Sequence, residues 1–141
     1  MSEELEEKAG LTIASFPAEY YKHVVHLTGE ICEPSRYTHM LELCHAAGEN
    51  DIIYLHLNSG GGRIDAADEI IGAMGFSQAR IVGVLNGHAA SAATAILLSC
   101  DDFIIGENAS FMIHSWAFGG YGTTRNVHAQ TNFWAKQADD W

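Results

Sequence analysis

Three times in succession the chain passes from an apolar, β-branched run into a stretch whose apolar residues recur every third or fourth position. "HVVHLTGEI" (His23–Ile31) alternates loosely and is expected to be a strand. Pro34 and Ser35 then open "SRYTHMLELCHAAG", where Tyr37, Met40, Leu41, Cys44 and Ala47 form a helical stripe and Gly48 is the expected stop. "DIIYLHLNS" (Asp51–Ser59) is apolar enough to lie centrally in a sheet. "RIDAADEIIGAMGF" returns to helical spacing, with Ile64, Ala67, Ile70, Ile71 and Met74 on one side. "ARIVGVLNG" (Ala79–Gly87) predicts a third strand, and the mostly apolar "SAATAILLSC" a buried helix. "DFIIGENASFMIH" holds two short strand candidates around a Gly-Glu-Asn turn, and after "GGYG" the segment "TTRNVHAQTNFWAKQADDW" reads as a helix. This order is the pattern of parallel βαβ units, hence an α/β fold. In such sheets the functional crevice lies at the carboxyl ends of the strands.

A chain of 141 residues, 48% apolar and 18% charged, is expected to form one soluble domain over residues 1–141. Its acidic N-terminal end, residues 1–15, is expected to be flexible. No apolar run approaches the roughly 20 residues needed to cross a bilayer, and the acidic start lacks the positive flank of a secretory signal. Three cysteines (Cys32, Cys44, Cys100) without a CxxC pair suit thiols in a reducing cytoplasm. Eight histidines do not combine with cysteine at ligand spacing, and His23 and His26 are too close on one strand, so no metal is expected. A net charge of −11 with only seven basic residues argues against a nucleic-acid partner.

Two small-residue clusters fall at predicted strand ends: "NSGGGR" after the second strand and "NGHAAS" after the third. Three consecutive glycines permit positive φ and close backbone approach. Neither GxxxxGK[ST] nor GxGxxG is present, so a nucleotide cradle is disfavoured and no cofactor is expected. The remaining alternatives are a tight turn, or a loop presenting amides to an oxyanion and an extended edge to a peptide. Ser91, between Ala90 and Ala92, either caps the following helix or carries a nucleophilic hydroxyl above its first amides. His114, at the end of "FMIH", is either an edge histidine or a base. Together a hydroxyl, an imidazole and a glycine-rich turn on one side of a sheet are what acyl transfer needs.

These segments carry a resemblance. "HVVHLTGEI", "IIYLHLNSGGGRIDAADEIIGAM", "VGVLNGHAASAATAILLSC" and "ENASFMIHSWAFGGYGTTRNVHAQ" resemble, in order, the Clp protease proteolytic subunit family. That family's pattern runs as an "LTG" strand, an "NSPGG" loop, "GQAASMGA" around a serine, "MIHQP" around a histidine, then "GGxxGxxxDIxIxA". The resemblance covers the chain from about His23 onward. It implies stacked ββα units with a parallel sheet, a fold shared with crotonases, and a C-terminal handle helix. It implies Ser91 as nucleophile, His114 as general base, and the backbone amides of Gly62 and Ala92 as the oxyanion hole. Gly61, Arg63 and Ile64 on one side, and Trp116 and Ala117 on the other, would grip the peptide by β-addition. It further implies a homo-oligomeric ring, a heptamer that stacks into a tetradecamer, fed with unfolded polypeptide by an ATP-driven AAA+ unfoldase.

The sequence also departs from the pattern. Gly60 replaces the loop proline, His88 a glutamine, Ala92 the methionine after the serine, and Ser115-Trp116 the Gln-Pro. The family's third triad member, an aspartate, lies beyond the helix in which Trp141 falls, so the C-terminal part of the family domain is expected to be absent. Asp139 and Asp140 come too early to replace that aspartate. Phe133, Trp134 and Trp141 on an otherwise polar helix suit burial against a partner or against the chain's own sheet equally. The leading expectation is therefore a Clp-type serine endopeptidase. The alternatives are a catalytically impaired or truncated assembly subunit on the same scaffold, and an acyl-CoA enzyme of the crotonase type.

Overall fold

The apolar runs pair in parallel and in chain order, because each crossover is long enough to hold a helix that returns the chain to the same end of the sheet. A computed structural model describes residues 6–8, 11–13, 19–114 and 123–139. The sheet runs β3 (Lys22–Thr28), β4 (Ile52–Ser59), β5 (Arg80–Ala90) and β6 (Asp102–Ile105), and β7 (Ser110–Met112) joins it along β5. Every pairing within this sheet is parallel. At the acidic end, where the sequence suggested only a flexible segment, β1 (Glu6–Lys8) pairs antiparallel with β2 (Leu11–Ile13). The crossovers hold α1 (Thr38–Ala46), α2 (Ile64–Phe76) and α3 (Ala92–Leu98), and α4 (Thr124–Asp139) follows β7.

Strand β4 is central, as its composition predicts, and its alternation decides which face is the core. Ile53, Leu55 and Leu57 are buried on one face against Met40 and Cys44 of α1, Ile70 and Met74 of α2, and Ile96 and Leu97 of α3. Each large apolar side chain so buried contributes roughly 1.5–3 kcal/mol. The opposite face carries Val24, His26, Tyr54 and His56. His26 and His56 are in register on neighbouring strands, and their rings lie 4.8 Å apart. His23 is an odd number of residues from His26 and faces the other way, so these two do not converge. Among the described residues, no group of three or more His, Cys, Asp or Glu gathers to hold a metal. No helix there is long and apolar enough to cross a membrane.

Three boundaries differ from the sequence expectation, each for a local reason. Strand β3 stops at Thr28 because Gly29 turns the chain at φ 83°, and Ile31 rejoins the sheet only through a bridge to Gly62. The first helix opens with a 3₁₀ turn over Pro34–Tyr37, and it ends as Ala47 goes extended, before Gly48 is reached. Strand β5 runs through His88 to Ala90 rather than stopping at Gly87, because β7 pairs with His88–Ala90 beyond the end of β6.

Cys44 and Cys100 are buried, and Cys32 is partly exposed. Burial, with Asp101 nearby, pushes the Cys100 thiol up to about 12, and burial also raises Cys44. Both therefore stay protonated and unreactive near neutral pH. A colorimetric disulfide reagent at pH 8 is expected to titrate Cys32 alone in folded protein, and all three thiols after denaturation. Rapid native labelling of Cys100 would contradict this packing.

Candidate active site

The end of β5 and the start of α3 meet in a turn built from small residues, and Ser91 occupies its apex at φ 57°, ψ −126°. It is the one non-glycine residue with positive φ among those described. Such a conformation costs of order 1–3 kcal/mol and persists only where the surroundings enforce it. A serine on a sharp strand-to-helix turn of this kind presents its hydroxyl outward at the top of the sheet. The capping alternative is not what the hydroxyl does here. Ser91 stands at the cap position, but only its backbone carbonyl accepts, from Thr94 N at 2.9 Å and Ala95 N at 3.3 Å, and its side chain makes no capping bond.

One carbonyl supplies part of what enforces the turn. Met112 O, at the end of β7, accepts from Ser91 N at 3.0 Å and from Thr94 Oγ1 at 2.9 Å. The same Thr94 hydroxyl lies 3.0 Å from Ala89 O, so its one proton is shared between two carbonyls. These bonds tie the Ser91 turn to the strand that leads, two residues later, to His114. His88 Nδ1 and Ser110 Oγ, 2.9 Å apart, add a second tie between β5 and β7. Thr94 is almost fully buried. Thr94→Val keeps the shape and strips both carbonyls of a donor, so it is expected to cost about 1–2 kcal/mol, read as a lower denaturation midpoint in urea.

The glycine loop packs against this turn. Gly61, at φ 95°, lies so close that a Cβ there would sit 2.7 Å from Ala90 O and 2.8 Å from Ser91 Cβ. Gly62, at φ 149°, lies tighter still, against the carbonyl oxygen and nitrogen of Ile31. The parallel bridge between Ile31 and Gly62 runs through Ile31 N to Gly61 O and Arg63 N to Ile31 O, both 2.9 Å. In that geometry the Gly62 N–H points away from Ile31.

A cavity of about 500 Å³ opens beside Ser91, lined by Gly62, Ile64, Ala92 and His114 among others. Five of the residues singled out in the sequence thus share one cavity. Gly61 supports it from behind, through its contact with the Ser91 turn. Arg63 does not line it; its guanidinium is exposed and held by Asp65, with Nε 2.9 Å from Oδ1. Trp116 and Ala117 lie outside the described residues. His114 is exposed at the cavity wall, and among the described residues no carboxylate is hydrogen-bonded to it. The Asp139 side chain and Asp140 lie outside the described residues, as do the Trp134 side chain and Trp141.

Asp68, Leu98 and Ile113 are among the cavity residues that gave no functional signal in the sequence. Asp68 read as part of the polar side of α2, yet it is one helical turn beyond Ile64 and next to Ala67, and all three line the cavity. Leu98, in the helix expected to be buried, and Ile113, at a short strand candidate, are both exposed and form apolar wall.

No curated protein matches the chain. The family model described as Clp protease matches residues 13–139, a span that takes in every strand of the parallel sheet, the glycine loop, the Ser91 turn and His114. A match of that extent shows the family: the chain belongs to the Clp protease family.

Proposed function

We propose that the chain is a Clp-type serine endopeptidase in which Ser91 is the nucleophile and His114 its base. The observation that carries this is the strained Ser91 turn, whose hydroxyl is not used for capping and which stands at a cavity shared with His114. In the proposed reaction Ser91 Oγ attacks the scissile carbonyl carbon while His114 takes the hydroxyl proton. The tetrahedral oxyanion is met by the Gly62 and Ala92 amides. With only seven residues, Ala92–Leu98, α3 contributes little dipole, so the hole depends on those two N–H groups. Collapse of the intermediate breaks the C–N bond, and His114 returns its proton to the leaving amine. Water then attacks the Ser91 acyl-enzyme by the same route in reverse.

The substrate of this reading is unfolded polypeptide, aligned along the extended backbone of Gly61–Ile64 by β-addition. An ATP-driven unfoldase would deliver it, and the subunits would assemble as a ring. Supporting assembly, Phe103, Ile104 and Ile105 of β6 and Phe111, Met112 and Ile113 at β7 are all exposed large apolar side chains. Every α4 residue whose side-chain exposure is described is exposed too, Phe133 included.

A fluorophosphonate probe tests the catalytic assignment. Assembled protein is expected to be labelled at Ser91, and Ser91→Ala to stay unlabelled. A second reading, a non-catalytic assembly subunit, draws on the lack of a described carboxylate bound to His114. It is supported instead if assembled wild-type protein remains unlabelled while a control serine hydrolase reacts.

A further inference from the structure

We propose that Asp68 makes the cavity beside Ser91 a receptor for basic side chains, so that the substrate residue preceding the cut bond is preferentially lysine or arginine. This deepens the peptidase reading above and rests on it for the statement about cleavage. The recognition itself rests on the cavity alone.

The cavity is mostly apolar where Ile64, Ala67, Ala95, Leu98 and Ile113 line it, and Asp68 is its one acidic group among the described residues. Its volume, about 500 Å³, lies within the range of sites that bury a small ligand. Ala67 is buried with a side chain of one carbon, which leaves room between α2 and α3. Leu98 and Ile113 are 59% and 68% exposed, so the apolar wall is uncovered until something lies on it. A lysine or arginine has the matching form, an aliphatic stem for that wall and a charged head for a carboxylate.

Nothing else described neutralises Asp68. The ion pairs among the described residues leave it out, and the guanidinium nearest in sequence, Arg63, is held by Asp65. Asp68 is exposed at the mouth of the cavity, where loss of solvent on the cavity side, and then the like charge of Asp65, raise its carboxyl from the ordinary value. A carboxylate in that setting gains from a cation more than from any neutral group. The chain's net charge of −11 favours approach of cationic peptide over anionic peptide in general.

The test uses peptides that differ at one position only: lysine, arginine, glutamate, or norleucine, which keeps the lysine stem and removes the charge. Binding is measured by fluorescence anisotropy to assembled Ser91→Ala protein, so that no turnover is needed. The lysine and arginine peptides are expected to bind roughly fivefold more tightly than the norleucine peptide, the scale of an accessible ion pair. Asp68→Asn is expected to bring that ratio to about one, and Asp68→Lys to invert it in favour of a glutamate peptide. Equal binding of the lysine and norleucine peptides, or no binding of any, overturns the proposal. So does a cleavage assay in which Asp68→Asn slows lysine and norleucine peptides equally, which would instead assign Asp68 to positioning His114. If the charge preference holds while Ser91 stays unlabelled by fluorophosphonate, the peptidase reading fails and the receptor stands.

Discussion

His114→Ala is expected to lower kcat/KM toward a quenched-fluorescence peptide by about 10²–10⁴, the range that positioned proton transfer supplies. Ser91→Ala is expected to lose at least as much, and the double variant no more than the worse single one, because nucleophile and base act as one unit. The geometry supports a rescue as well. His114 is exposed at the wall of a cavity of about 500 Å³, so removing its ring leaves a space open to solvent. Free imidazole at millimolar concentration is therefore expected to restore part of the His114→Ala rate and none of the Ser91→Ala rate. Neither substitution touches the Ser91 N to Met112 O bond or the buried core, so both variants should keep the wild-type melting temperature within a few degrees. Full activity in folded His114→Ala protein would remove the imidazole from the mechanism. Full activity in Ser91→Ala would remove the peptidase assignment altogether.

The alternation of periods was enough to locate β3, β4 and β5 and the helices between them, because each element buries one face and repeats its apolar residues accordingly. Leu55 and Ile70 are typical: both are fully buried and both sit where the pattern puts them. Ser91 shows the limit of that logic. Alanine on either side tells that the backbone is uncrowded, but a φ of 57° is imposed from outside, by Met112 O and by the glycine loop, and neither is near in sequence. Thr94 is similar: as one polar residue in an apolar helix it reads as a packing detail until β7 brings Met112 O to its hydroxyl. Asp68 was hidden for the opposite reason. A carboxylate on an amphipathic helix is the commonest of surface residues, and only the cavity between α2 and α3 distinguishes it from Glu69 beside it. The end of β5 is not legible at Gly87 because strand length depends on partners, and β7, the partner that extends it, follows twenty residues later in the chain.

Gly61→Ala is expected to be a severely damaging one-carbon change, and one that acts directly on the serine turn. The added Cβ would stand 2.7 Å from Ala90 O, 2.8 Å from Ser91 Cβ and 3.1 Å from Ala92 N, all parts of a turn with no slack. Overpacking of this kind costs about 1–3 kcal/mol. The φ of 95° adds a penalty of about 1–2 kcal/mol for any L side chain. Together they remove about 2–5 kcal/mol from a domain whose whole stability is of order 5–15 kcal/mol. The chain has two ways to relieve the clash, and both displace the site. Moving the loop carries the Gly62 N–H away from the cavity, and moving the turn breaks the Ser91 N to Met112 O bond. Fluorophosphonate labelling should therefore fall at least tenfold even at temperatures where the variant remains folded. Gly60→Ala is the matched control. A Cβ there meets nothing within 4 Å and its φ is not in the left-handed region, so stability should hold or rise by about 0.4–1 kcal/mol through a less flexible unfolded chain. Paired urea titrations of the two variants, with labelling measured on the same samples, separate contact at the serine turn from general loop stiffness. If Gly61→Ala matches Gly60→Ala in both measurements, the loop and the Ser91 turn are not in the contact described.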